Sequence, residues 1–226
     1  MKIAVLGTGM VGQALAGRLA ELGHEVTVGT RDPAATLART EPDGMGNPPY
    51  AAWASGHAAI RLATFAEAAA AAGLIVNATS GGVSLAALQA AGRDNLAGKV
   101  LLDIANPLDF SHGFPPTLLV KDNDSLGEQI QAAYPALKVV KTLNTLTAAL
   151  MISPRQLAGG AHSVFVCGND ADAKKTATGL LESFGHTDVI DLGDISAARG
   201  TEMLVPLWLR LMGELKTPMF NFKIVR

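Results

Sequence analysis

A chain of 226 residues with 49% hydrophobic and 17% charged residues can build one sizeable core, or a core domain with a small appendage, and is too apolar for a disordered protein. Its formal net charge of -2 gives no electrostatic drive toward nucleic acid or an anionic membrane surface. The single cysteine, Cys167, excludes an internal disulfide and any multi-cysteine metal site.

No targeting segment is recognised: the apolar start is broken by Gly7 and Gly9 and lacks a cleavage signature. No run is apolar and long enough to span a bilayer. A cytosolic protein with no membrane or nucleic-acid partner and no metal site is expected.

Taken in chain order, KIAVLG is a predicted strand. Residues 11–22 repeat Leu15, Leu19 and Leu22 at helical spacing, and Gly23 stands where a helix turns into the left-handed region. HEVTVGT is the second strand. After a short helical start at 34–39, residues 36–59 read as a loop-rich insertion marked by Pro42, Gly44, Gly46, Pro48 and Pro49. IRLA is a strand, and Thr64 with Glu67 three residues on forms a capping-box pattern. LIVNATS, KVLLDIANP, LKVVKTLN, SVFVCGN and TDVIDLG are further strands, separated by helical patterns at VSLAALQAAG, SLGEQIQAAYP and DADAKKTATGLLESFG. Cys167 then reads as a small apolar residue at a buried strand end. Residues 196–216 form a last, apolar helix that Pro206 should bend.

Apolar strands alternating with helices predict an α/β fold of Rossmann type, a doubly wound and mostly parallel sheet covered on both faces. Residues 1–195 are assigned to it and 196–226 to a helical segment that closes the cleft or forms a dimer contact. Apolar residues nearly all round that last helix predict burial, and Arg199 and Glu202 read as a local ion pair.

Gly7, Gly9 and Gly12 form G-x-G-x-x-G directly after a strand and at the start of a helix. In that context the first glycine serves the tight turn, the second lets the backbone approach a pyrophosphate, and the third lets helix and strand pack closely. The helix N-terminus presents free N–H groups and a partial positive charge to the phosphates.

NAD-binding versions normally end the second strand on an acidic residue that holds the ribose 2′-hydroxyl. Here Thr30 and Arg31 stand there. Two like charges about 4 Å apart near a surface repel by roughly 4 kcal/mol, and half of that is already about thirtyfold in affinity. Thr30 removes the repulsion and Arg31 offers a guanidinium to a 2′-phosphate, so NADP(H) is expected over NAD(H). Asp32 is a competing partner for Arg31.

Ligands of open parallel sheets lie at the carboxyl ends of the strands. Small polar residues occupy three more such ends: Ala78, Thr79 and Ser80; Ala105, Asn106 and Pro107; and Asn144. They are candidates to line the ribose and nicotinamide, although each could be an ordinary turn former. Lys141 is a possible proton donor or a cap on the sheet edge. The five histidines read as solvated loop residues, with His112 the best catalytic candidate among them. No catalytic residue is assigned.

The chain resembles the NADPH-dependent reductases of the deazaflavin coenzyme F420, and also the reductase domain of membrane ferric reductases. The resemblance rests on AVLGTGMVGQALAGRLAELGHEVTVGTRDP, VVKTLNTL, VFVCGND with VIDLG, and ARGTEML. It implies that Thr8, Met10 and Val11 join the glycines around the phosphates, that Thr30 and Arg31 hold the 2′-phosphate, and that Ala78–Thr79 and Asn106–Pro107 approach the ribose and nicotinamide. It departs from the family in lacking a second basic residue within Asp32-Pro33-Ala34-Ala35 and in its long segment after Thr36.

The function expected is hydride transfer between NADP(H) and a second planar small molecule, coenzyme F420 or a flavin, by a homodimer. The alternatives are a reductase of a small carbonyl or imine, which would need a proton donor such as Lys141, and a non-catalytic NADP(H)-binding redox sensor.

Overall fold

The computed structural model describes residues 1–42 and 46–226, so Gly44 of the insertion lies outside the described residues. The chain runs β1 (Lys2–Leu6), α1 (Met10–Glu21), β2 (Glu25–Thr30), α2 (Pro33–Ala38), α3 (Tyr50–Ala54), β3 (Arg61–Thr64), α4 (Phe65–Ala71) and β4 (Leu74–Asn77). It continues with α5 (Ser84–Ala91), α6 (Arg93–Leu96), β5 (Val100–Asp103), β6 (Leu108–Asp109), β7 (Thr117–Leu118), α7 (Leu126–Ala133), β8 (Lys138–Thr142) and α8 (Ala148–Ile152). Last come β9 (Val164–Cys167), α9 (Ala171–Phe184), β10 (Val189–Asp191), α10 (Ala198–Met203) and α11 (Val205–Leu215).

Eight strands form one sheet in the order β10-β9-β8-β5-β4-β1-β2-β3, and β6 pairs with β7 in a separate hairpin. Every pairing in the large sheet is parallel except β8 with β9, which is antiparallel. The expected mostly parallel Rossmann-type sheet is therefore present. Strand alternation splits the core between the two faces. Ile3, Val5, Leu102 and Val140 pack with Leu15 and Leu19 of α1, while Ala4, Leu6, Leu101 and Val139 pack with Leu88 and Ile130.

Register sets out the functional end. Gly29 lies opposite Leu6, Leu6 opposite Asn77, Asn77 opposite Asp103, and Asp103 opposite Lys141. One row across the sheet thus carries the residues that end five strands or nearly do so.

Three expectations need correction. The insertion is not only loop: α3 lies within it, and Tyr50 joins the core cluster that contains Leu15 and Leu19. The last apolar segment is not one buried helix. It breaks at Leu204, just before Pro206, into α10 and α11, and Val205 is the one residue of α11 that is buried. Leu207 is 51% and Leu215 54% exposed. The Arg199–Glu202 pair does not form: Arg199 reaches Glu128 on α7, and Glu202 turns inward to Lys141. A helix places Arg199 and Glu202 close enough to meet, but each finds a better-placed partner outside α10.

The capping box at α4 forms as expected, with Thr64 Oγ1 accepting from the Glu67 amide at 3.2 Å and the Glu67 carboxylate accepting from the Thr64 amide at 2.9 Å. Thr64→Ala should therefore cost about 1 kcal/mol of stability, read as a lower urea midpoint with an unchanged slope.

Candidate cofactor site

The turn from β1 to α1 is built by close approach. Gly7 has φ +119°, and a Cβ there would lie 2.5 Å from the carbonyl oxygen of Ala78. A Cβ on Gly12 would lie 2.2 Å from the carbonyl oxygen of Gly7. Both positions therefore exclude any side chain, and they pull α1 against the ends of β1 and β4. A Cβ on Gly9, by contrast, would meet no protein atom within 4 Å, so this face of the turn is open to a ligand.

The α1 N-terminus has no side-chain cap and no acidic residue in its first turn. Its first turn of N–H groups therefore lacks intrahelical partners, and the positive end of the helix dipole faces the open side of Gly9. Gln13 Nε2 donates to the Thr8 carbonyl at 2.8 Å and fixes the turn from within. Met10 is exposed and Val11 half-buried. This cradle fits a pyrophosphate.

At the end of β2, Thr30 is buried and its hydroxyl meets that of Thr36 at 2.9 Å. Asp32 caps α2, accepting from the Ala35 amide at 3.0 Å. That occupation answers the competition for Arg31: the guanidinium is exposed and makes no ion pair among the described residues. Thr36 gives its own hydroxyl proton to the Asp32 carbonyl, so the Thr30 hydroxyl is spent on Thr36, and the free guanidinium is the group at this end that fits a 2′-phosphate.

The other end of the cleft is a hydrogen-bonded lattice of loops. Thr79 Oγ1 donates to Asn77 Oδ1 at 2.7 Å, while Ser80 is exposed. Asn106 Nδ2 donates to the Asn144 carbonyl at 2.8 Å, and Asn144 Nδ2 donates to Asn106 Oδ1 at 3.0 Å. The two asparagines thus tie the loop after β5 to the loop after β8. Gly81 went unrecognised in the sequence. A Cβ there would lie 2.1 Å from the Asn106 carbonyl oxygen, so it lets the loops after β4 and β5 touch. Its signal was the second half of NATSGG. Ala105 and Pro107 are buried beside this contact.

Lys141 is neither a proton donor at the cleft nor a cap on a sheet edge. It lies on an interior strand, is 1% exposed, and pairs with Asp103 at 2.9 Å and Glu202 at 2.8 Å. Its ammonium also donates to the Ala105 carbonyl. Burial pushes its pKa down, but the two carboxylates outweigh burial and hold it above the usual lysine value. Asn77 Nδ2 donates to Asp103 at 2.8 Å, and Glu202 accepts from the amides of Leu126 and Gly127 at the start of α7. Every charge in this network has a partner within it.

His112 is exposed. His162 and His186 are buried rather than solvated, each with Nε2 3.0 Å from a backbone carbonyl, of Pro154 and Met151 respectively. Burial lowers the pKa of His186. Cys167 is buried beside the network, and burial pushes its thiol up to about 12, in keeping with a passive role. Among the described residues no metal-ligating cluster occurs, and no helix is long and apolar enough to cross a membrane.

The glycine turn, the uncapped helix and the row of polar strand ends define a dinucleotide-binding protein of Rossmann type. Residues 2–107 match the family described as NADP oxidoreductase, coenzyme F420-dependent. A crystal structure from Arthrobacter sp. FB24, carrying a provisional name as an F420-dependent NADP-reductase, is 64% identical, covers 100% of both chains and superposes with a TM-score of 0.97. The chain belongs to the coenzyme F420-dependent NADP oxidoreductase family. Metalloreductase STEAP3 of Rattus norvegicus is 28% identical over 96% of this chain, and the F420-dependent NADP reductase of Methanocaldococcus jannaschii is 30% identical over 53% of it. The chain spans 38% and 53% of the lengths of these two relatives.

Replacing Lys141 by Met would leave Asp103 and Glu202 as buried, uncompensated carboxylates. Breaking such a network costs about 3–5 kcal/mol, so Lys141→Met should unfold at a markedly lower urea concentration than the parent chain.

Proposed function

We propose that the protein is an NADP(H)-dependent oxidoreductase whose bound nicotinamide exchanges hydride with a second planar molecule of the deazaflavin or flavin type. The end of β2 carries this reading, with Thr30 where a carboxylate would select NAD and Arg31 free of an internal partner among the described residues. The cofactor supplies the hydride chemistry. The task left to the chain is to bind and orient: Gly7, Thr8, Gly9, Met10, Val11 and Gly12 at the diphosphate, Thr30 and Arg31 at the 2′-phosphate, and Ala78, Thr79, Ser80, Ala105, Asn106, Pro107 and Asn144 along the ribose and nicotinamide.

Two observations favour a planar acceptor. Lys141, the side chain that a carbonyl or imine reductase would have called on, is locked in its buried network. Aligning two rings within near-attack distance and excluding water requires no side-chain acid or base. The β6–β7 hairpin beyond Pro107 also exposes Phe110 and Phe114, and is anchored by the Leu119 amide donating to the Pro107 carbonyl at 2.7 Å. These rings offer an apolar wall near the nicotinamide end.

Residues 1–195 form the cofactor domain in this reading, and 196–226 provide the contact of a homodimer. Met203, Leu207, Leu211 and Leu215 recur every four residues, and three of the four are exposed. A second copy of the same stripe would cover them. The setting expected is cytosolic.

Arg31→Ala should weaken NADPH binding tenfold or more while leaving NADH within about twofold, by calorimetry, since one charged contact to phosphate is lost. Anaerobic mixing of the parent protein with NADPH and a deazaflavin or a flavin should bleach the acceptor. No reduction of either would remove the acceptor assignment. Light scattering should give the mass of a dimer, and Leu207→Glu with Leu215→Glu should give a folded monomer. A monomeric parent protein would refute the interface.

A further inference from the structure

A cavity of about 130 Å³ lies between the glycine turn and the inserted segment, with Gly9 and Met10 on one wall and Thr36, Arg39, Glu41 and Tyr50 among the residues on the other. It adjoins the end of β2, because Thr36 hydroxyl-bonds to Thr30 and Arg39 follows one helical turn after Thr36. Arg39 is exposed and has no ion-pair or hydrogen-bond partner among the described residues. Tyr50 is 5% exposed, and its buried hydroxyl has no hydrogen-bond partner. Burial pushes that hydroxyl up to about 12, so it remains a donor in search of an acceptor. A buried polar group left unpaired is costly, and the residue that carries it lines the same cavity.

We infer that the inserted segment is the second jaw of the cofactor's 2′-phosphate site, and that Arg39 is a selectivity residue that binds this phosphate opposite Arg31. The inference rests on the NADP(H) reading proposed above and adds a residue to it.

Charge explains the need. A phosphate monoester carries close to two negative charges near neutral pH. Asp32 occupies the α2 N-terminus with its own carboxylate, which denies that helix end to the phosphate. Arg31 alone supplies one positive charge. Glu41 brings a carboxylate to the cavity. Together, Arg31 at the end of β2 and Arg39 on the cavity wall balance the carboxylates of Asp32 and Glu41. With Arg31 alone, the two carboxylates would outnumber the one cation.

The experiment compares NADPH, NADH and 2′-AMP binding to the full chain and to Arg39→Met by calorimetry. Because Arg39 is exposed and unpartnered, the variant should keep the parent's melting profile. The expected result is a tenfold or greater loss of affinity for NADPH and 2′-AMP, with NADH within twofold of the parent. NADPH affinity within twofold of the parent would overturn the inference, and so would an equal loss for NADH, which would place Arg39 on the diphosphate. Arg31→Ala, run in parallel, separates the failures. If it loses NADPH preference while Arg39→Met does not, the second jaw is refuted and the cofactor reading stands. A parent protein with no preference for NADPH over NADH removes both.

Discussion

A buried ammonium governs this molecule. Lys141 sits on an interior strand and can remain charged there because Asp103 meets it from the neighbouring strand and Glu202 from α10. Two carboxylates against one ammonium leave a negative charge, and the amides that begin α7 absorb it by donating to Glu202. Sheet, α7 and the C-terminal helices are thereby fastened at one point. That point lies just beneath the cleft: Asp103 accepts from Asn77, Asn77 accepts from Thr79, and Lys141 donates to the Ala105 carbonyl. The loops after β4 and β5 are thus held from below by polar groups.

The remainder of the site is positioned by exclusion rather than attraction. Gly7 and Gly12 admit no Cβ, and Gly81 admits none against Asn106. Three backbone segments can then crowd together, with Gly9 left facing open space. Preorganisation of this kind costs little when a ligand arrives, because the donors already point outward.

How much of this could be read from the residues depended on how local each signal was. The glycine turn was legible because strand, glycines and helix are contiguous, and the capping box at Thr64 because its partner is three residues away. The partners of Lys141 were not, because Asp103 is 38 residues distant and α10 approaches from much later in the chain. Arg199 and Glu202 misled for the opposite reason. Their helical spacing suggested a pair, yet tertiary packing gave each a different partner. Burial of the last helix was over-predicted, since apolar composition does not say whether the covering surface belongs to the same chain. The β6–β7 hairpin gave no signal, because strands of two residues carry no periodicity.

The antiparallel pairing of β9 against β8 has a consequence for how the protein can diverge. β9 and β10 run against the other six strands of the sheet, so the bends that follow them emerge at the far rim, where Asp170 meets Lys138 at 3.0 Å. A change confined to that rim falls at the opposite end of the sheet from the glycine turn.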